Sequence, residues 1–433
     1  MAVNRNADRL DTGRIVAPNR IIATGHQAWL WHPGILAKFL AMKHACTTLN
    51  TQPIHIVVDH DCYNPLDIPY PDCDGLRLVE RNLAIGNCRE DVPTAFQQHI
   101  NLQTLRNQTD PLFLPIARAA ENMPQCRNLA EQFTVLISRL MSKYVGKLPT
   151  LFASDLPAMT LYQSFLNDMI SDARNCANTC NTAVRQHDRW GLSRLTIRDD
   201  IVELPLWAIG WNMPRKRVFI NDRNHRNTLV FESGEHIDTE TYQLLPRAIT
   251  LTAVLRMHYC DLFIHGTGGQ LYDQVTNTWL KQWRGIELAP VTVVSADLYM
   301  NFNVPLADRK QLDHALWYRH HLPHNINRYV NINPTLKPLV QRKMQLIQHM
   351  NDDRDRNRRQ QAYHDIQETN RMLAAAYDDE IGRADQNLET ARIGLANSRI
   401  ARKRNWCFAF YDAKQLQELS REFEWPDRKQ AEI

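Results

Sequence analysis

The sequence predicts an α/β protein in which a doubly wound parallel sheet carries a charged helical arm. Two stretches, starting at Arg20 and at Asp261, each pass from a short apolar run through a glycine-bearing loop into apolar residues at helical spacing. Two β-branched runs, Pro53 to Val58 (PIHIVV) and Val291 to Ser295 (VTVVS), suit strands buried in a parallel sheet. From about Lys337 to Arg404 the chain is highly charged, with apolar residues three and four positions apart.

In chain order, Arg20 to Ala23 is the first strand and Thr24-Gly25-His26-Gln27 the loop that closes it. Ile35, Leu36, Phe39, Leu40 and Met42 then mark a helix from Pro33 to Leu49, with proline at the first helical position, where its missing N–H costs nothing. Pro53 to Val58 ends in Asp59-His60-Asp61 and completes a β-α-β unit, so parallel pairing is expected. Beyond a Pro-rich stretch around 64 to 71, helices are expected over about Asn128 to Tyr144 and Leu161 to Val184, with a strand at Thr150 to Ala153 and a turn at Ser154-Asp155 between them. Ile201 to Leu204 and Arg217 to Ile220 predict a hairpin across an aromatic, Pro-containing insert. The second strand, loop and helix unit runs through Asp261 to Ile264, His265 to Gln270 and Leu271 to Arg284.

The arm's seam reads Ile366, Asn370, Leu373, Tyr377, Ile381, Ala384, Leu388, Ala391 and Leu395, with consecutive four-residue steps through Tyr377 forming a stutter. It fits a coiled coil between chains, with Asn370 fixing register, or an antiparallel hairpin within one chain, to which Gly382 and Gly394 point. Trp406 to Tyr411 (WCFAFY) reads as a strand or an anchor returning to the core. The expected organisation is a core over 1–335 with a connecting segment inserted at about 65–150, an arm over 336–405, and a returning segment over 406–433.

At 433 residues the chain exceeds the ~250 to 300 that one core organises. A formal charge of +4 is too slight to predict a nucleic-acid partner, while small anions remain open. Nine cysteines without a C-x-x-C read as reduced thiols, with no zinc site. The first twenty residues hold no apolar signal core and no run approaches ~18 apolar residues, so the cytoplasm is the expected compartment, with no membrane association.

Four places carry chemistry. In His265-Gly266-Thr267-Gly268-Gly269, backbone N–H groups could converge on a phosphate or carboxylate at a helix N-terminus; a tight strand-to-helix turn explains the glycines equally, and Asp273 would serve the helix dipole. Gly25-His26-Gln27 and His32-Pro33-Gly34 flank Trp29 to Trp31, and the second half is similar to the H-x-G-H loop of class I nucleotidylyltransferases, with Ile35 at its last position; otherwise His32 and Pro33 simply start the helix. Asp59-His60-Asp61 suits holding Mg2+ with a nucleotide, orienting an amine or general base work, or else Asp61 caps a turn beside a solvated His60. Arg247 could clamp a carboxylate or lie at the surface.

Taken in order, Thr24-Gly25-His26-Gln27, His32-Pro33-Gly34, Asp59-His60-Asp61, Pro246-Arg247, the 266–269 loop and the arm resemble the cysteine-adding enzymes of bacillithiol synthesis over most of the chain. That family commonly reads T-G-Q-Q, T-G-P-L, an E-D-H-D-like cluster and G-G-P-G-E at these places; here His26 stands for one Gln, His32-Pro33-Gly34 for the Thr-Gly-Pro core, and Gln270 near the Glu. The resemblance implies a Rossmann-like core related to class I nucleotidylyltransferases and a helical coiled-coil arm through which a homodimer forms. It also implies a carbon–nitrogen ligase joining a small amine, cysteine or another amino acid, to a carboxylate-bearing acceptor with ATP or ADP and Mg2+. The expected catalytic set is His26, Asp59, His60 and Asp61, with His26 or His60 taking the amine proton. Gly25, Gln27, His32, Gly34, Arg247, His265, Gly266, Gly268, Gly269 and Gln270 would bind substrate or nucleotide. Nucleotidyl transfer, from the partial H-x-G loop, and a non-catalytic nucleotide-binding scaffold with a partner-recruiting arm are the alternatives.

Overall fold

The structure, a computed structural model, describes residues 20–187, 191–221 and 227–424; the readings made on the first nineteen residues and on 425–433 lie outside them. From its start the described chain forms β1 (Ile21–His26), α1 (Pro33–Leu49) and β2 (Gln52–Val57). The hairpin β3 (Asp67–Asp74) and β4 (Arg77–Ala84) follows, then the short α2 (Gln103–Arg106) and α3 (Leu114–Ala119), then α4 (Leu129–Val145) and β5 (Thr150–Phe152). Next come α5 (Thr160–Ser171), α6 (Ala173–Gln186), β6 (Ile201–Ile209), β7 (Lys216–Asn221), β8 (Thr228–Val230), β9 (Gln243–Pro246) and α7 (Ala248–His258). The β10 (Leu262–His265), α8 (Gln270–Arg284) and β11 (Val291–Val293) unit is followed by α9 (Arg309–His321), α10 (Ile326–Tyr329), α11 (Lys337–Asp352), α12 (Arg356–Ala376), α13 (Asp378–Ala401) and α14 (Ala413–Arg421).

The chain divides into two compact units, one holding the described residues up to Tyr70, Asn82–Leu298 and those from Arg404 onward, the other Pro71–Arg81 and Tyr299–Lys403. The first unit contains a five-stranded, all-parallel sheet in the order β11-β10-β1-β2-β5. The β1 strand sits at its centre because Ile21 to Thr24 are buried, and the fully buried Thr24 hydroxyl is satisfied by the Ile264 carbonyl at 2.7 Å. Helix α1 begins where expected: the His32 imidazole accepts from Gly34 N at 3.1 Å as N-cap, Pro33 is the first residue, and Asn50 ends it in the left-handed region at φ 51°. Its first turns are buried almost throughout, which fits their apolar residues on every side apart from Lys38.

A second sheet of the same unit, β8-β7-β6-β9, is antiparallel. The expected hairpin is its β6–β7 pair, and the register shifts between Leu204 and Trp207, around Pro205, which has no N–H for the ladder. One apolar cluster joins the two sheets, from Ile54 and Ile56 to Val202, Leu204 and Val218, with Cys176, Cys180 and Trp279 between.

Several boundaries differ from expectation. Gly25 and His26 end the first strand instead of opening the loop. The helix expected over Leu161 to Val184 is two helices, broken at Asp172 (φ −119°, ψ 39°), whose carboxylate accepts from Trp283 Nε1 at 2.9 Å. Ser154-Asp155 lies in a 3-10 turn over Ala153–Ala158. Trp406 to Tyr411 is the anchor rather than a strand: Trp406 and Phe408 are buried, and Phe408 N donates to the Trp31 carbonyl at 2.7 Å. All nine cysteines are free thiols.

The second unit begins ahead of the expected residue 336, because α9 packs along α13; a capping box between Asp308 and Gln311 starts α9. The arm is three helices: α11 and α12 pair antiparallel within the chain, and the stutter at Tyr377 is the break between α12 and α13. Gly382 and Gly394 lie inside α13 rather than at a hairpin turn, and Gly394 is required because a Cβ there would meet Ala307 at 2.9 Å. Among the described residues no helix is long and apolar enough to cross a membrane.

Candidate functional site

The carboxyl ends of β1, β2 and β10 open into a cavity of about 770 Å³, with the antiparallel sheet and α6 as its far wall. Gly25, His26 and Gln27 enter from β1, His32 and Gly34 from the start of α1, His60 and Asp61 from beyond β2, and His265 to Gly269 from beyond β10. All lie in the first unit.

The glycines are there for different reasons. A Cβ at Gly25 would stand 2.4 Å from the Ile56 carbonyl oxygen, so the close approach of β1 and β2 admits no side chain. At Gly269 a Cβ would meet the His265 ring at 2.2 Å, and at Gly34 the Ala296 carbonyl at 2.9 Å. Gly268 has open space around it and Gly266 only ordinary contact, at 3.7 Å, with Lys38 Cδ. None of the four loop residues Gly266 to Gly269 has a positive φ, so left-handed backbone does not require these glycines, and only Gly269 is needed for room.

His26 stacks on Trp29 at 5.7 Å and meets Trp31 edge-on; its Nδ1 is buried without a partner, and burial together with Lys38 holds its pKa well below 6.5. His32 both caps α1 and lines the cavity, its pKa lowered to about 4 by burial and then by Arg404. Gln27 donates to Asp61 Oδ2 at 3.2 Å, while Asp61 Oδ1 takes Arg215 at 2.7 Å and Cys62 N at 2.9 Å. Asp61 is therefore a cavity residue already engaged, not only a turn cap.

His60 is buried, not solvated: Nε2 lies 2.8 Å from the Pro246 carbonyl, so it carries the proton, and burial lowers the pKa to about 4. Asp59 does not line the cavity. It is fully buried and bonded by Ser154 through N at 2.9 Å and Oγ at 2.5 Å, bracing the end of β2 to the turn after β5, and burial raises its pKa to about 7.

Arg247 lines the cavity with Nη2 2.7 Å from the buried Glu203 and its guanidinium 4.3 Å from the Trp207 ring centroid. Arg215 lies 4.6 Å from the same ring, and Arg217 bonds Glu232 and approaches Glu203 at 3.7 Å. His265 Nε2 lies 2.8 Å from Asp273 Oδ2, out of line for a hydrogen bond, and Asp273 also takes Arg256 at 3.1 Å. Asp273 thus belongs to a buried charge cluster rather than serving the helix dipole alone. Gln270 is the first residue of α8; its side chain lies outside the described residues.

Sequence reasoning missed Lys38, Glu203, Trp207, Arg215, Arg217 and Arg404, all of which line the cavity. Lys38 had a signal: it is the one charge in the apolar run Ile35 to Met42, at a helix position where lysine is rarely buried. The lining holds five arginines and Lys38 against the carboxylates of Asp61 and Glu203; just outside it Glu232 pairs with Arg217 and Asp297 with Arg404, so basic groups stay in excess. A cavity so charged attracts anions.

Among the described residues no three His, Cys, Asp or Glu side chains gather to hold a metal. With Asp59 committed to Ser154, the Asp59-His60-Asp61 cluster does not fit a protein-held Mg2+. No protein-family model matches the chain, and no curated protein matches it significantly.

Proposed function

We propose that the protein is a carbon–nitrogen ligase that joins a small amine, cysteine or another amino acid, to a carboxylate-bearing acceptor with nucleotide assistance, on a Rossmann-like, doubly wound core. The observation that carries this reading is the cation-rich cavity at the carboxyl edge of the parallel sheet. From the central β1 the chain first adds β2 and β5 on one side and later β10 and β11 on the other. The crevice between β1 and β10 is therefore a topological switch point, where open α/β sheets take their ligands.

In this reading the Gly266 to Gly269 backbone and the N-terminus of α8 receive phosphate groups of ATP or ADP, and the arginines beside Trp207 hold the acceptor's carboxylates. As the amine attacks the activated carboxyl carbon it must lose a proton, and the phosphate or nucleotidyl group that activated the carboxyl leaves with the C–O bond electrons as the C–N bond forms. His26 is better suited than His60 to take the proton, since the His60 ring is already fixed by its bond to the Pro246 carbonyl. Mg2+ would be carried by the nucleotide's phosphates rather than by a protein cage.

The arm's coiled-coil pairing into a homodimer belongs to the same proposal, supported by exposed Met344, Tyr363 and Met372 on α11 and α12. Nine unpaired cysteines fit a reducing compartment such as the cytoplasm.

A thermal-shift panel with ATP, ADP, cysteine and other amino acids, followed by mass spectrometry of products formed in a cell extract, tests the reading. A nucleotide-dependent shift and an amide product support it. A product carrying a nucleotidyl group points to nucleotidyl transfer instead, and no shift with any nucleotide overturns it.

A further inference from the structure

Lys38 is buried to 4% exposure inside α1, yet lines the cavity, with Nζ donating to the Gly25 carbonyl at 2.6 Å. A buried ammonium normally meets a carboxylate, because an unpaired charge out of water is costly. Lys38 meets none among the described residues. Its titratable neighbours are His32 at the cap of its own helix, His26 on β1 and His55 on β2; beyond the Gly266 loop lie His265 and Asp273, and Asp273 is taken by Arg256 at 3.1 Å. The two cavity carboxylates, Asp61 and Glu203, are held by arginines. Beside Lys38, His26 presents a buried nitrogen with no partner, and the open Gly266 to Gly269 loop lies across from it.

We propose that Lys38, His26 and the Gly266 to Gly269 backbone form an anion site for a phosphoryl or carboxylate group, and that Lys38 takes up a proton as the anion binds. The bound anion is the missing counter-charge. With the site empty, burial lowers the amine's pKa to about 7, so above neutrality it is mostly uncharged, and the anion restores the charged form. The proton comes from solvent, so binding and pH are linked. His26, His32 and His55 all titrate at acid pH, and the cavity arginines stay charged throughout, so Lys38 dominates the linkage above neutrality. This inference rests on the cavity and not on the ligase reading.

Sulfate is the suitable probe, because it exchanges no proton above acid pH. Its Kd for the full chain, measured by calorimetry from pH 6 to 9, is expected to be nearly flat below pH 6.5 and to weaken by close to tenfold per pH unit between pH 7.5 and 9, the slope of about one proton taken up. Lys38→Met, close in size, is expected to fold, to bind sulfate at least tenfold more weakly at pH 7, and to lose the slope. A flat wild-type profile above pH 7.5, the absence of saturable sulfate binding, or a folded Lys38→Met that keeps the slope overturns the proposal. The wild-type profile decides the matter even if the variant does not fold. A protein that ligates with ATP but shows the flat profile keeps the proposed function and loses this site.

Discussion

Arg247 Nη2 sits 2.7 Å from Glu203 Oε1, and Glu203, at 2% exposure, is the anion that holds Arg247 at the cavity wall and lies 3.7 Å from Arg217, which Glu232 also holds. Its other oxygen accepts from Thr196 N at 2.8 Å. Glu203→Ala removes the shared partner of two cations and a backbone donor, so it is expected to cost about 3 to 5 kcal/mol. Equilibrium unfolding in urea reads this directly; a loss under ~1 kcal/mol would mean the arginines find water instead.

Gly25→Ala and Gly268→Ala separate the two uses of glycine. The first places a methyl 2.4 Å from the Ile56 carbonyl, the second in open space. Gly25→Ala is expected to cost about 1 to 3 kcal/mol through strand displacement, and Gly268→Ala to change stability by less than about 0.5 kcal/mol. Thermal melts of the pair check the contrast.

The protein is expected to lose stability as pH falls below about 6.5. Burial lowers His55 to about 3 and His32 and His60 to about 4, and lowers His26 as well. Each stays neutral in the folded chain while the unfolded chain binds a proton below 6.5, so stability drops with pH until the folded values are reached. Asp59, raised to about 7, works the other way: the folded chain keeps its proton where the unfolded chain has released it, so acidification from pH 7 to 4 favours folding at that one site. Four groups outweigh one. Urea midpoints that rise steadily between pH 6.5 and 4.5 would contradict this balance.

His55→Leu is expected to stabilise. Both His55 nitrogens are buried without partners between Trp31 and Phe39, and each such group costs about 1 to 3 kcal/mol. Part of the gain is returned in lost ring contacts, worth about 0.5 to 1.5 kcal/mol. The variant's melting temperature should rise, and its acid sensitivity should shrink by one titrating group.

His26→Ala is expected to reduce nucleotide-dependent coupling by at least about 100-fold while the melting temperature stays close to the parent's. Product formation and a melt on the same preparation distinguish the outcomes. A collapse of the melt would make His26 a packing residue beneath Trp29.

The parallel sheet was legible in the sequence because each strand is a continuous apolar run and each following helix carries its own stop and start, such as Pro33 and Asn50 around α1. The antiparallel sheet was only half legible: the β6–β7 hairpin could be read, while β8 and β9, three and four residues long, could not. In the site, the strand-end residues could be found from glycines beside apolar runs. Arg215 and Arg217 could not, since they reach the cavity only after a second sheet folds against the first; Glu203 had the same signal as Lys38, a single charge in the otherwise apolar, buried strand β6. Asp59 and Asp61 look alike in sequence; Ser154, 95 positions after Asp59, is what separates them.

Hydrogen exchange on the full chain with and without ATP and Mg2+ tests the central claim most directly, that the carboxyl edge of the parallel sheet is the ligand site. Protection is expected at residues 25–34, 58–61 and 265–270 together, with the second unit unchanged. Protection absent from those three segments, or confined to 299–403, would contradict it.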